Sequence, residues 1–136
     1  MDPCQDSDLQ ISTAPTGKIV GGQSEYLVTI RNQCSCAVSG VVFYCQDGLS
    51  STEPVDKNMI HIVDNKSMLC LVHNGWPIFK GSQVTFTYAW RTPLSFSILG
   101  DEIGNNNTNF NFEENFTNEN VTTKVFTLNI LSICVL

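Results

Sequence analysis

Residues 70–90 read CLVHNGWPIFKGSQVTFTYAW, and two strands can be read within them. In its second half Val84, Phe86, Tyr88 and Trp90 alternate with Gln83, Thr85 and Thr87. A period of two marks a half-buried strand, because successive side chains point to opposite faces. Residues 68–73 predict a second short strand, which carries Cys70. Between the two lie Asn74-Gly75 and Lys80-Gly81, both turn signals. The expectation is a β-ribbon with a wide loop tipped by Trp76, Pro77, Ile78 and Phe79, and further strands laid against it.

Outward from that ribbon the chain repeats the same grammar. Residues 8–12 alternate Leu9 and Ile11 with polar neighbours, as a short edge-like strand does. Residues 13–24 hold Pro15, Gly17, Gly21 and Gly22 and read as a loop. In residues 25–32, Tyr26, Val28 and Ile30 share a face. Residues 39–45 read as one strand, apolar on both sides (Val41, Phe43 and Cys45 against Val42 and Tyr44), which suits a central position. A polar loop over residues 46–58, a brief strand over 59–63, and a strand with Leu94, Phe96 and Ile98 in alternation follow. No long apolar stripe has a helical period. Short strands separated by Gly and Pro predict an all-β fold, an antiparallel β-sandwich, immunoglobulin-like or similar.

Composition shifts after Gly100. Residues 100–123 are crowded with Asn and read as a flexible polar loop or insert, not as core. Strand pattern returns with Phe126, Leu128 and Ile130 before Cys134. The whole of 1–136 is expected to be a single domain, since 136 residues suffice for one core.

The net charge of −6 argues against nucleic acid and against an anionic membrane surface, both of which select clustered Lys and Arg. No apolar run approaches the ~20 residues needed to cross a bilayer. The six cysteines are Cys4, Cys34, Cys36, Cys45, Cys70 and Cys134. An even count in a small β-rich chain predicts a disulfide framework and an oxidising compartment. A zinc site is disfavoured: there is no C-x-x-C pair and no nearby pair of histidines, so no metal is expected. Cys34 and Cys36, two apart on extended chain, face opposite ways, so each is expected to find a distant partner. The chain opens Met1-Asp2-Pro3-Cys4 and turns polar at once, without a basic and then apolar leader. A trimmed mature fragment is the expectation.

Catalytic chemistry finds no foothold. There is no nucleophile elbow, phosphate-binding loop or dinucleotide fingerprint, so no cofactor is expected. His61 and His73 are expected to be structural or exposed. Asp6-Ser7-Asp8 resembles an acidic metal-binding triplet of nucleotide-sugar transferases, but it lies in a polar terminal segment and reads as solvated charge. Asp47, Glu53, Asp56 and Asp64 have no spacing that suggests a general acid/base pair. Trp76, Pro77, Ile78 and Phe79 are the exception to this blandness. Either they form an exposed contact patch with Lys80 and Arg91 as its polar rim, or they fold back and cap the sandwich. Of four N-glycosylation sequons, at Asn65, Asn106, Asn115 and Asn120, the first stands in ordinary composition and is the best candidate.

A larger pattern joins these pieces. It runs Tyr26-x-Val28-x-Ile30-x-Asn32-x-Cys34, Cys36, Gly40 to Cys45, and Cys70-Leu71-Val72 before Asn74-Gly75. It continues through Gly81-x-x-Val84-x-Phe86-x-Tyr88-Ala89 to Pro93-Leu94-Ser95. This resembles the plant TAPETUM DETERMINANT family of small secreted cysteine-rich proteins, over Cys4 to about Ile98. The resemblance implies a secreted, extracellular (apoplastic), non-enzymatic ligand in cell–cell signalling. Its partner would be the ectodomain of a leucine-rich-repeat receptor kinase, in anther cell fate. The six cysteines would be structural, and Trp76, Pro77, Phe79 and Lys80 would meet the partner. The family carries a signal peptide and reaches its last cysteine sooner after the strand ending at Ile98 than this chain does. The competing reading is a cell-wall carbohydrate-binding module, with Trp76, Phe79 or Trp90 stacking on sugar rings.

Overall fold

A computed structural model describes residues 6–98 together with three strands beyond them, 110–114, 124–128 and 131–133. The architecture is an antiparallel β-sandwich. One sheet has three strands in the order β1-β2-β7: β1 (Leu9–Val20), β2 (Gln23–Asn32) and β7 (Gln83–Trp90). The other has four in the order β5-β6-β4-β8: β4 (Val42–Cys45), β5 (Ile60–Asp64), β6 (Leu69–Val72) and β8 (Phe96–Ile98). A short β3 (Ala37–Ser39) pairs with β11 (Leu131–Ile133), and β9 (Phe110–Glu114) pairs with β10 (Lys124–Leu128).

The faces predicted from alternation are the faces that pack. Val28 and Ile30 of β2 and Val84, Phe86 and Tyr88 of β7 are buried against Phe43, Cys45, Ile60, Cys70 and Val72 of the second sheet. Phe96 on β8 ties the two layers. Its ring lies 5.6 Å from Phe86 and 5.9 Å from Tyr88, both edge-on, and 6.5 Å from Phe43. Rings at these separations and angles gain from their quadrupoles as well as from burial. The Tyr88 hydroxyl, buried among them, accepts the Leu94 N–H at 2.7 Å. That bond fixes the turn by which the chain crosses from β7 to β8.

Three expectations need correcting. β6 and β7 do not form a ribbon; they lie in different sheets. Residues 73–82 are long enough to cross between layers, and each strand finds a partner elsewhere, β2 for β7 and β4 and β5 for β6. Residues 13–20 are strand, not loop: β1 runs on to a two-residue turn at Gly21-Gly22, where both φ are positive (58° and 78°). Such a turn matches the twist of a hairpin, and only glycine enters it without penalty. Pro15 is tolerated because β1 is an edge strand, and the register shifts between Pro15 and Ile19 around Gly17. Residues 39–45 are not one strand: Gly40, at φ 67°, separates β3 from β4. β4 does occupy a central position, between β6 and β8. Within the Asn-rich stretch 100–123, residues 110–114 form strand β9; the rest of that stretch lies outside the described residues.

The cysteines bear out the disulfide reading where they are described. Cys45 on β4 and Cys70 on β6 are bonded, with Cα atoms 6.1 Å apart. Because Phe43, not Cys45, is the register partner of Cys70, the bridge runs diagonally within one sheet. Cys34 and Cys36 are also disulfide-bonded. Cys4 and Cys134 lie outside the described residues.

Candidate functional site: the 73–82 crossing and the free edge of β7

The crossing between β6 and β7 begins with three consecutive residues in left-handed backbone, His73 (φ 53°), Asn74 (φ 54°) and Gly75 (φ 77°). Asn and Gly enter this region readily and His at some cost. The His73 carbonyl accepts the Trp76 N–H at 2.9 Å, closing the turn. Two residues on, Ile78 is held like a rivet. It is 2 % exposed. Its N–H donates to the Val38 carbonyl at 2.7 Å, and its own carbonyl accepts the Val38 N–H at 3.0 Å. The Gly40 N–H donates to the Gly75 carbonyl at 3.0 Å, so β3 and the glycine that follows it grip the crossing at two points.

The second grip on Ile78 comes from Asn32, at the end of β2 and 0 % exposed. Its Nδ2 donates to the carbonyls of Ile78 and Cys36, both at 2.8 Å. Its Oδ1 accepts the Cys34 N–H at 2.8 Å. Its backbone carbonyl accepts the Gly81 N–H at 3.0 Å. One buried amide therefore joins β2, the Cys34–Cys36 turn and the crossing. Asn32 stands in the sequence pattern Ile30-x-Asn32-x-Cys34, but its role as a buried junction was not read there, because an Asn at a strand end is an ordinary turn signal.

With Ile78 anchored inward, its neighbours are displayed. Trp76 is 65 % exposed and Phe79 63 %. Pro77 is half-buried and Lys80 exposed. The two sequence readings of this tip thus divide within the loop: Ile78 folds back, while Trp76 and Phe79 stand clear. Trp90 does not join them. It is half-buried on β7, with the Arg91 guanidinium 5.5 Å from its ring centre. That placement leaves it a poor platform for a sugar, while Arg91 sits apart from the Trp76–Lys80 tip in sequence and stacks on its own neighbour.

Beneath the tip runs an open cleft of about 460 Å³. Its walls include Pro77, Ile78 and Phe79 from the crossing, Met59 and His73, and Ser82 to Thr85 along β7; Asp56 supplies an acidic group. The cleft therefore borders the edge of β7 that β2 does not use. Toward the far end of that edge the Ala89 carbonyl accepts the Thr52 N–H at 2.8 Å, and the Ala89 N–H donates to Ser51 Oγ at 2.9 Å.

The other residues weighed from sequence lie apart. His61 is half-buried on β5 with Nδ1 3.1 Å from the Lys57 carbonyl. Asp64 accepts the Lys66 N–H at 3.0 Å and Asp56 the Asn58 N–H at 2.9 Å, each capping its own turn. Asn65 is exposed in the turn between β5 and β6; Asn106, Asn115 and Asn120 lie outside the described residues. One pairing escaped the sequence. Burial holds the Glu53 carboxyl above its ordinary value, and the neighbouring Glu25 raises it further. Glu25 is itself buried and accepts a hydrogen bond from Thr16 Oγ1 at 2.8 Å. Neither lines the cleft. Among the described residues no three His, Cys, Asp or Glu side chains gather as a metal site, and no helix is long and apolar enough to cross a membrane.

Comparison with known proteins adds one finding. Residues 5–103, well over half of the chain, match the family model described as Tapetum determinant 1, C-terminal. No curated protein and no solved structure matches the chain.

Proposed function

We propose that this chain, which belongs to the tapetum determinant 1 family, is a secreted, non-enzymatic protein ligand that docks on the ectodomain of a leucine-rich-repeat receptor kinase in plant cell–cell signalling. The observation that carries this reading is the display of Trp76 and Phe79, each about two-thirds exposed, on a loop held from behind at Ile78. Large apolar side chains in water cost solvation free energy, and a rigid mount removes the entropy that a flexible loop would lose on binding. Trp and aromatic neighbours are also the side chains that dominate interface energetics. Pro77 fills in beside them, and Lys80 supplies a cationic rim. Disulfides at Cys34, Cys36, Cys45 and Cys70 fit an oxidising, extracellular setting. Asn65, exposed on the β5–β6 turn, would carry a glycan in that setting.

The test is a binding titration. Oxidised protein is titrated against such an ectodomain and, in parallel, passed over a polysaccharide affinity gel. Saturable binding to the ectodomain at micromolar concentration or below, without retention on the gel, is expected. Retention on the gel that Trp76→Ala abolishes, with no ectodomain binding, would replace this reading with the carbohydrate module.

A further inference from the structure

The geometry points to the free edge of β7 as a strand-addition site, taking an extended, cationic segment of the partner protein as a further strand of the β1-β2-β7 sheet. This rests on the reading that a protein docks at the Trp76–Lys80 tip, and adds how the partner's backbone is held.

The ladder decides which amides of β7 face out. β7 pairs with β2 in unbroken antiparallel register from Arg31↔Gln83 to Ser24↔Trp90. In such a ladder alternate residues turn their N–H and C=O to opposite edges. Ala89 bonds outward, to Ser51 and Thr52. At the other end Ser82 bonds inward: its carbonyl accepts the Asn32 N–H at 3.4 Å. The odd-numbered residues Gln83, Thr85 and Thr87 therefore present their backbone groups to the outer edge. Among the described residues no strand pairs there.

Exposed edges are usually defended, and the contrast within this sheet is informative. The opposite edge, β1, carries Pro15, Lys18 and a register shift at Gly17. β7 from Gln83 to Thr87 carries no charge, no proline and no bulge. Its last outward residue, Ala89, is already covered by Ser51 and Thr52, and the Glu53 side chain hydrogen-bonds that of Thr87, so the accessible stretch is the short run from Gln83 to the Thr87 amide, with an acidic group at its far end.

The cleft selects what lies along that stretch. It gives an added strand an apolar wall of Met59, Ile78 and Phe79 for its alternate side chains. Asp56 is the one full charge among the described residues lining it, in a protein of net charge −6. A segment alternating apolar and basic residues complements both. Main-chain bonds to Thr85 and Thr87 would supply affinity and the wall would supply selectivity, as in other strand-addition sites. Phe79 belongs to both the tip and the cleft, so one partner can engage the two together.

The test uses a capped peptide of alternating Lys and Val, with an alternating Glu–Val peptide as control. Amide signals of the ¹⁵N-labelled, oxidised protein are followed. The Thr85 and Thr87 amides are expected to shift saturably and to gain protection from solvent exchange with the Lys–Val peptide and not with the control. Unmoved Thr85 and Thr87 amides would overturn the proposal. So would protection of these amides that appears without peptide and grows with protein concentration, since a second copy would then be the occupant. A second arm uses Thr85→Pro. Its missing N–H faces outward, so pairing with β2 is kept. Affinity for the receptor ectodomain is expected to fall at least about tenfold, the effect of losing one or two interfacial hydrogen bonds, with melting little changed. If Trp76→Ala weakens ectodomain binding while folded Thr85→Pro does not, strand addition fails and the docking reading stands. If the peptide protects Thr85 and Thr87 but the ectodomain does not bind, the docking partner is wrong and the edge site stands. Should Thr85→Pro not fold, the peptide titration decides alone.

Discussion

Replacing Asn32 with Ala should unseat the loop that displays Trp76 and Phe79. Three hydrogen bonds of 2.8 Å disappear with the amide, two to carbonyls of Cys36 and Ile78 and one from the Cys34 N–H. A made hydrogen bond contributes roughly 1 kcal/mol net, but a buried group left without a partner costs about 1–3 kcal/mol. Water entering the vacated space would satisfy part of that debt. The expected loss is therefore about 3–5 kcal/mol, a large share of the roughly 5–15 kcal/mol that holds a domain of this size together. Denaturant unfolding of the oxidised variant measures it directly. Asn32→Asp is the telling companion. It keeps the volume and the acceptor for Cys34, but sets a second acceptor against two carbonyls, so it should be destabilised comparably. Losses below about 1 kcal/mol in both variants would refute the idea that this amide organises the crossing.

Three further outcomes follow from the same structure. Cys70→Ser removes the bond to Cys45 across a sequence separation of 25, and loop-closure entropy puts the cost at about 3.5 kcal/mol; a variant that is secreted normally and melts like wild type would contradict it. Gly75→Ala meets only ordinary contact with Leu71 at 3.7 Å, so its cost comes from the left-handed backbone and should be about 1–2 kcal/mol, read by thermal melting. Glu53 is held above the ordinary value of 4.5 by burial first and by Glu25 second, so its protonated form is favoured by folding. The stability this supplies is full below that ordinary value and is lost as pH rises through the raised one. Glu53→Gln, which stays neutral, should flatten the decline in melting temperature from acid to neutral pH; parallel curves for the two proteins would contradict the assignment.

How much of this was legible beforehand depends on the range of the interaction. Alternation along Val84, Phe86 and Tyr88 is a local property, and it gave the buried face and the sandwich. Which strand lies beside which is not local. Residues 68–73 and 83–90 looked like a ribbon because they are neighbours in sequence, yet nine intervening residues let each join a different sheet. The Gly21-Gly22 hairpin was hidden because Pro15 and Gly17 mimic a loop, although an edge strand tolerates both. The crossing tip could be named from its composition, but not oriented. Its exposure is decided by Ile78, which is buried only because Asn32 and Val38 hold its backbone. Glu25 and Glu53 meet only through the path of the segment carrying Ser51 and Thr52 over β7, and nothing in their spacing announces it.

Trp76 and Phe79, displayed by the crossing, are proposed as a docking surface. The most direct measurement is the affinity of oxidised wild type and of a Trp76→Ala, Phe79→Ala double variant for a leucine-rich-repeat receptor ectodomain, with melting curves run on both. Interface anchors of this kind carry about 2 kcal/mol each, about thirtyfold, so the double variant should bind several hundredfold more weakly. Because both side chains are exposed, its melting temperature should be unchanged or slightly raised. Equal affinity of two equally folded proteins would contradict the claim.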